Sequence, residues 1–286
     1  KMHFDTQVTE ILTASTNTSA TGSVANTNTG TGASSSSSKK NVIGVRTEHG
    51  EVFHSSHVIV ATGHSADDML HHLQEIDVFL EGKSFAMGLR IEHPQKSLNQ
   101  IQYREYSESS SLGAANYKLA YTDPDTSIGT YSFCMCPGGY VLNATTSPNL
   151  TICNGMSNYN RNSPFGNAAI VVSIDHDKMF GAKNIFGGLK YRTDLETRAY
   201  QAATGSPIDS TSYKISNASD QQQPLQSQRL PGQNLMDFLE GKKPKGDLLK
   251  NSSLSGAVPA SLHQILPKEI YQSLVQGLME FNKSMR

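Results

Sequence analysis

Short runs of alternating apolar and polar residues fill the first part of the chain and predict a small antiparallel meander. Residues 4–12 and 42–47 alternate as half-buried strands do, and residues 51–53 return after a turn at 48–50. Residues 57–61, His-Val-Ile-Val-Ala, are almost all apolar, which is typical of a strand buried on both faces. The pattern therefore predicts three paired strands followed by one fully buried strand.

A helix is predicted directly after the buried strand. Ser65 is expected to be its N-cap, and Asp67 and Asp68 lie where carboxylates favour the positive end of the helix dipole. His71 and His72 fall on this helix and are interpreted as solvated or capping side chains. The apolar face of the helix comprises Met69, Leu70, Leu73 and Ile76.

After Gly82 the pattern changes to many short strands, and helices return only late in the chain. One helix is predicted over residues 233–240 with Gly241 as its C-cap, and the last helix starts near Pro267. The chain is therefore expected to be α+β (α/β), mainly antiparallel beyond residue 80. The strands expected are 85–91, 130–136, 140–142, 151–154 and 168–174, and the last helix has an apolar stripe of Ile270, Leu274, Leu278 and Phe281.

Composition and charge narrow the possible functions. The chain has 286 residues, a formal net charge of −1 and three cysteines. Near-neutral charge gives no reason to expect nucleic acid or an anionic membrane surface as a partner. No apolar run approaches the ~20 residues of a membrane-spanning helix. We expect a small-molecule substrate and, because cysteines are few, an intracellular, reducing compartment; the oligomeric state is left open.

Two polar segments interrupt the pattern. Residues 13–40 consist almost entirely of small polar residues and are predicted to be a disordered insertion, and residues 206–228 are predicted to be loose. The chain begins with Lys1 rather than methionine, directly before a predicted strand. We therefore expect it to be a piece of a longer protein.

The end of the predicted buried strand carries the first candidate site. A strand that ends in Thr62-Gly63 brings its carboxyl end to the crevice where ligands of α/β sheets bind. Gly63 leaves room there, and Thr62 offers a hydroxyl and an amide. Strand-to-glycine turns occur in any α/β core, so this signal is modest on its own.

Arg90, Glu92 and His93 form the second candidate site. Arg90 and Glu92 share one face of a predicted strand, where a guanidinium oriented by Glu92 could hold a phosphate or carboxylate through two hydrogen bonds. His93 precedes Pro94 and could act as an acid or a base. The alternative interpretation is a surface ion pair beside a turn histidine.

Residues 131–141 form the third candidate site, with two cysteines followed by a Pro-Gly-Gly turn. On a regular strand Cys134 and Cys136 lie on the same face. The turn at 137–139 is expected to expose amide N–H groups to an anion or a planar ring. Two alternatives stay open: a core strand with a tight exit turn, or a thiol switch or soft-metal site formed by Cys134 and Cys136.

Several blocks, in this order along the chain, resemble a known family. The blocks are residues 61–65, 85–94, 114–118, 131–141, 154–157, 167–173 and 261–264. Together they closely resemble the uncharacterised FAD-dependent dehydrogenases, or NAD(P)/FAD-dependent oxidoreductases, of bacteria and of plant and algal plastids. The resemblance extends from Phe4 to the end of the chain, apart from the two polar segments.

This resemblance implies a FAD-dependent oxidoreductase with a split FAD-binding domain and an inserted substrate or cap domain. Residues 1–80 would form part of the FAD-binding domain and residues 81–286 the cap. FAD would be the cofactor and NAD(P)H a candidate electron donor, and a plastid is a candidate location if the source is photosynthetic. The residues implied are Arg90, Glu92 and His93 for the substrate, and Thr62, Gly63, His64, Cys136, Pro137, Gly138 and Gly139 for the cofactor.

The chain departs from the family pattern at both ends. The family's Gly-rich strand-turn-helix, which would hold the FAD pyrophosphate at a helix N-terminus, is absent, and so is its late Gly-rich loop. We therefore expect a fragment that is inactive alone and does not bind FAD tightly. A non-catalytic structural or assembly factor derived from a flavoprotein is the alternative function.

Overall fold

The computed structural model describes residues 1–15, 40–109, 111–206 and 229–285 and has the expected α+β fold. Its contacts divide the chain into two compact units, Lys1–Leu80 and Glu81–Arg286. Most of the predicted insertion and most of the loose segment fall on residues 16–39 and 207–228, outside the described residues. Residues 13–15 and 40, which were assigned to the insertion, are strand ends instead.

The first unit is a three-stranded antiparallel meander with one helix. The meander pairs β1 (Val8–Ser15), β2 (Lys40–Thr47) and β3 (Val52–His54) in that order, and α1 (Asp67–Glu75) follows. β1 begins four residues later than predicted, because its ladder with β2 starts at the Val8–Thr47 pair and runs to Ser15–Lys40. The three predicted meander strands are confirmed, but the position of the first strand is wrong by several residues.

Two predictions between β3 and α1 are wrong. Residues 57–61 form no strand, and Ile59 is 92% exposed. No strand of the described part pairs with this apolar run, so neither its backbone ladder nor its burial forms. Ser65 is not the N-cap either; Ala66 occupies that position without a side-chain hydrogen bond. His72 is not simply solvated: its Nε2 accepts a 2.8 Å hydrogen bond from the Ile11 N–H of β1.

The second unit is built around a four-stranded antiparallel sheet. The order in this sheet is β4-β9-β6-β5, beside a β7-β8 hairpin and a short parallel β10-β11 pair. The strands are β4 (Phe85–Pro94), β5 (Ala120–Thr122), β6 (Gly129–Cys136), β7 (Gly139–Asn143), β8 (Cys153–Ser157), β9 (Phe165–Ile174), β10 (Leu230–Gly232) and β11 (Ala257–Pro259).

Helices surround this sheet, and the longest two are α4 and α7. α7 begins directly after Pro267, as predicted, and Gly241 follows the end of α5 with φ +63°. The helices are α2 (Gln95–Tyr103), a 3-10 turn (Arg104–Tyr106), α3 (His176–Phe180), α4 (Gly187–Thr204), α5 (Leu235–Leu239), α6 (Leu262–Ile265) and α7 (Lys268–Ser284).

The two faces of the sheet have different environments. On one face Ile170, Val172 and Ile174 of β9 join the hydrophobic core with α7. The predicted stripe of α7 is confirmed, since Ile270, Leu274 and Phe281 are buried and Leu278 packs against them. On the other face Ala169 and Val171 of β9 are only half-buried. Because strand side chains alternate between faces, Arg90 and Glu92 of β4 and Asn167 of β9 lie on this second face.

The strand that carries the cysteines is irregular. The β6–β9 register shifts between Phe133 and Cys136, and Cys134 has a left-handed φ of +49°. A bulge of this kind redirects the side chains that follow it. Cys134 is exposed and Cys136 is buried, yet the two side chains interact with each other. The regular strand geometry behind the prediction is therefore absent, although the two thiols are close together.

Candidate functional site

Arg90 of β4 is the central residue of the candidate site. Its Nη1 donates to Asn167 Oδ1 at 2.7 Å and to the Cys134 carbonyl at 3.3 Å, and its Nη2 donates to Asn154 Oδ1 at 3.4 Å. All three acceptors are neutral, and no residue in the described part of the chain forms an ion pair with Arg90. Arg90 is half-buried, and its guanidinium is held in place without a counter-charge.

Gly155 of β8 allows the hairpin to lie against this guanidinium. A Cβ at this position would lie 2.2 Å from Asn167 Oδ1 and 2.3 Å from Arg90 Nη1. Only glycine leaves enough space for both groups. Asn-Gly is a common pair in tight turns, but Asn154 and Gly155 lie within β8, where the glycine serves close packing against Arg90.

Glu92 does not orient Arg90, contrary to the prediction from their shared strand face. Its carboxylate instead accepts hydrogen bonds from the Ser252 N–H at 2.9 and 3.1 Å and from the Ser252 hydroxyl. Ser252 Oγ also accepts from the Val141 N–H at 2.9 Å. Burial raises the pKa of Glu92, and the bonds from Ser252 partly oppose that shift. Glu92 thus connects β4 to the segment around Ser252.

His93 forms a pair with Tyr117, a residue that the sequence reasoning did not assign to the site. His93 Nε2 lies 3.1 Å from Tyr117 Oη, and the two rings are tilted with centroids 5.5 Å apart. Burial lowers the pKa of His93 and raises the pKa of Tyr117 to about 12. Both groups are therefore neutral at pH 7, and the pair can hold one proton between the imidazole and the phenol. The positive charge of Arg90 opposes the rise of the Tyr117 pKa.

The turn at Pro137-Gly138-Gly139 is filled by the protein itself. The Gly138 N–H donates to Gln95 Oε1 at 2.8 Å, and a Cβ on Gly138 would lie 1.7 Å from the Arg161 carbonyl oxygen. All three turn residues and Cys136 are buried. The expectation that this turn exposes its amides is wrong at Gly138. Contact between residues 136–139 and a cofactor stays a prediction.

The thiols give little support for a redox switch. Cys136 Sγ donates to the Cys134 carbonyl at 3.4 Å, and burial raises the pKa of Cys136, which disfavours the reactive thiolate. No three His, Cys, Asp or Glu side chains of the described segments are grouped so that they could hold a metal ion.

Thr62, Gly63 and His64 lie in the first unit, before α1. All three are exposed, and Gly63 has φ +81° with no atom within 4 Å of a Cβ placed there. At Gly63 the backbone is thus open to a ligand, which fits the expected role in contacting a flavin dinucleotide. This contact is untested.

Asn167 and Gln95 are the buried amides that the sequence reasoning missed. Asn167 is 0% exposed, and its Nδ2 has no hydrogen-bond partner among the described residues. Gln95 donates to Asn99 Oδ1 and to the Ala115 carbonyl, both at 2.9 Å. The available signal was an asparagine next to the apolar run 168–172, since a polar residue in a buried strand needs a specific partner.

The fold and this site define a class: an α+β domain whose antiparallel sheet has a core face and a face that bears an uncompensated arginine. Residues 84–286 match the family described as FAD-dependent protein, C-terminal domain-like. The chain belongs to this family. An uncharacterized protein of Clostridium beijerinckii is 31% identical over 229 residues, which are 80% of this chain and 39% of that protein. The chain thus spans about 39% of the length of this relative.

Within the described part, no helix is long and apolar enough to span a membrane.

Proposed function

We propose that the chain is part of a FAD-dependent oxidoreductase in which Lys1–Leu80 belongs to the FAD-binding domain and Glu81–Arg286 is the cap or substrate domain. Family membership supports the involvement of FAD. The observation that carries the proposal is Arg90, a fixed guanidinium with only neutral partners. A half-buried cation of this kind is stabilised by an anionic ligand.

The residues of the chain have separate tasks in this proposal. Bound FAD supplies hydride or electron transfer, and the protein supplies binding and orientation. Gly63 offers open backbone to the cofactor, with Thr62, His64 and residues 136–139 as further candidate contacts. Arg90 binds the anionic part of the substrate.

The His93–Tyr117 pair and Glu92 complete the substrate side. The neutral pair of His93 and Tyr117 can hold or accept a proton, and the charge of Arg90 acts on Tyr117. Glu92 has a supporting role, because its bonds to Ser252 hold β4 in place rather than contact the substrate.

The proposal is tested on the longer protein of which this chain is expected to be a part. Its visible absorption spectrum is recorded before and after anaerobic addition of NADH or NADPH. We expect flavin bands that are bleached by at least one of the two reductants. A correctly folded, colourless protein would contradict the proposal and favour the non-catalytic alternative. A flavin that stays oxidised with both nucleotides would reject NAD(P)H as the electron donor.

A further inference from the structure

The half-exposed face of the main sheet contains a row of three residues with complementary properties. Arg90 of β4 pairs with Ala169 of β9, and Ala169 pairs with Phe133 of β6. Directly paired residues point to the same face of a sheet, and neighbouring strands lie ~4.8 Å apart. The small Ala169 lies between Arg90 and Phe133 in this row, and the Arg90 side chain reaches across β9 to the Cys134 carbonyl of β6. The cation and the aromatic ring are therefore neighbours on this face. Phe133 is 63% exposed, so the ring is accessible.

One edge of the Arg90 guanidinium is free to bind a ligand. Three of its five N–H donors bond to the acceptors named above. The Nε–H donates no hydrogen bond to a residue of the described segments and is not among their fully buried unpaired atoms, while the guanidinium also interacts with the Cys136 thiol. The Nε–H and the remaining Nη2–H are the donors with which an arginine binds both oxygens of a carboxylate side-on.

A second donor beside the guanidinium also has no acceptor. The Asn167 amide that fixes Nη1 is fully buried, and its Nδ2 has no partner in the described part of the chain. A buried donor without an acceptor is costly, and the structure keeps this cost where Asn167 fixes the guanidinium. One cation with neutral neighbours matches a singly charged ligand better than a phosphate dianion, which is usually met by several cations or a helix N-terminus.

We propose that this face binds a small organic acid that has one carboxylate and a planar apolar body. The carboxylate lies on the free edge of Arg90, and the apolar body lies on Ala169 against the ring of Phe133. Calling this acid the substrate rests on the proposed oxidoreductase function. Its binding to the sheet face depends only on residues of the second unit.

The binding is tested with the whole chain and four probes: benzoate, benzamide, acetate and inorganic phosphate. Binding is followed by NMR titration. We expect benzoate to bind more tightly than acetate, because its ring is removed from water on Ala169 and Phe133. Benzamide, which has the same shape without the charge, should bind roughly 10-fold more weakly than benzoate or not at all.

Three variants separate the contributions of the carboxylate and of the ring. Arg90→Gln should weaken benzoate binding by roughly 10-fold or more, and Arg90→Lys by less, since lysine keeps the charge and loses the planar fork. Ala169→Leu should weaken benzoate and leave acetate unchanged, because it fills only the space for the ring. Arg46→Gln is the control: it removes an exposed arginine paired with Glu10 and should not change the binding of benzoate.

Equal binding of benzoate and benzamide, tighter binding of phosphate, or unchanged benzoate binding in Arg90→Gln would each overturn the inference. If Arg90→Gln does not fold, Arg90→Lys and Ala169→Leu decide the question. A colourless longer protein that still binds benzoate through Arg90 would reject the oxidoreductase and keep the acid site. A longer protein whose flavin is reduced by NAD(P)H, but whose chain does not bind benzoate, would keep the oxidoreductase and reject the acid site.

Discussion

Neutral groups determine the position of the Arg90 guanidinium, and this explains why asparagine and glycine are found around it. Asn167 and Asn154 accept its N–H groups, and Gly155 leaves the space that the guanidinium needs. Glu92, the nearest acidic residue along β4, is bound by Ser252. The site thus preserves a positive charge that an adjacent carboxylate would otherwise neutralise.

Replacing Gly155 with alanine should disturb this arrangement. The new methyl group would meet Asn167 Oδ1 and Arg90 Nη1 at less than a contact distance, so the guanidinium must move. We expect a loss of about 1–2 kcal/mol in the free energy of unfolding and a changed NMR signal of the Arg90 Nε–H. Gly113→Ala is the matched control, because a Cβ there meets no atom within 4 Å. Equal urea-unfolding curves for the two variants would contradict this explanation of Gly155.

His93 should make the protein less stable in mild acid. Burial lowers its pKa below the ordinary 6.5, so the unfolded chain binds a proton more readily than the folded protein does. The contribution of His93 to the free energy of unfolding is complete above about pH 6.5. It is lost as the pH falls through the lowered pKa, and the free energy of unfolding then decreases by at most about 1.4 kcal/mol per pH unit. The raised pKa of Glu92 has the opposite sign, since its contribution is largest at low pH and is lost as the pH rises.

The test for His93 is the difference in pH dependence between two variants. His93→Phe should flatten the fall in unfolding free energy between about pH 7 and pH 5, as measured by urea unfolding at each pH. The same change at the exposed His54 controls for the loss of one histidine. A fall that is equally steep in His93→Phe and in the wild type would show that other groups cause the acid sensitivity.

At the residue level the sequence identified Arg90 and His93 but not their partners. An alternating strand pattern shows that Arg90 and Glu92 share a face, but it does not show which neighbour each side chain reaches. Those partners, Asn167 and Ser252, lie 77 and 160 residues away along the chain. Tyr117 was missed for the same reason, since only the fold brings it to His93.

Among the elements, those with strong periodicity were predicted and those that depend on a partner were not. The apolar stripe of α7 and the buried run of β9 follow directly from the sequence. The run at 57–61 has the same apolar character but lies outside any sheet, because no described strand pairs with it. The bulge at Cys134 leaves no clear signal in the sequence, and it makes one thiol exposed and the other buried.

The packing of α7 on the core face of the sheet should dominate the stability of the second unit. Leu274 is 1% exposed and lies in the core with Ile170 and Val172 of β9. Leu274→Ala should lower the free energy of unfolding by about 2–5 kcal/mol, through lost burial and the cavity left behind. Met279→Ala on the same helix, at a position 52% exposed, should change it by less than about 1 kcal/mol. Similar losses in both variants, measured by urea denaturation, would contradict the assignment of the core.

For the whole chain, the sequence predicted the fold class and a flavoprotein relationship, and the family match supports the latter. The division at residue 80 coincides with the boundary between the two compact units, although their roles as FAD-binding and cap domains remain proposals. The face that bears Arg90 is where the proposed function is concentrated, because the opposite face is used for the core.

The central proposal is that the chain belongs to a flavin-dependent enzyme whose substrate, an organic acid, binds at Arg90. The most direct test is a titration of the longer protein with benzoate, following the visible flavin spectrum of the wild type and of Arg90→Gln. The claim predicts a saturable change of the flavin bands in the wild type that is lost in Arg90→Gln. A folded but colourless protein, or a spectral change that is the same in both proteins, would contradict it.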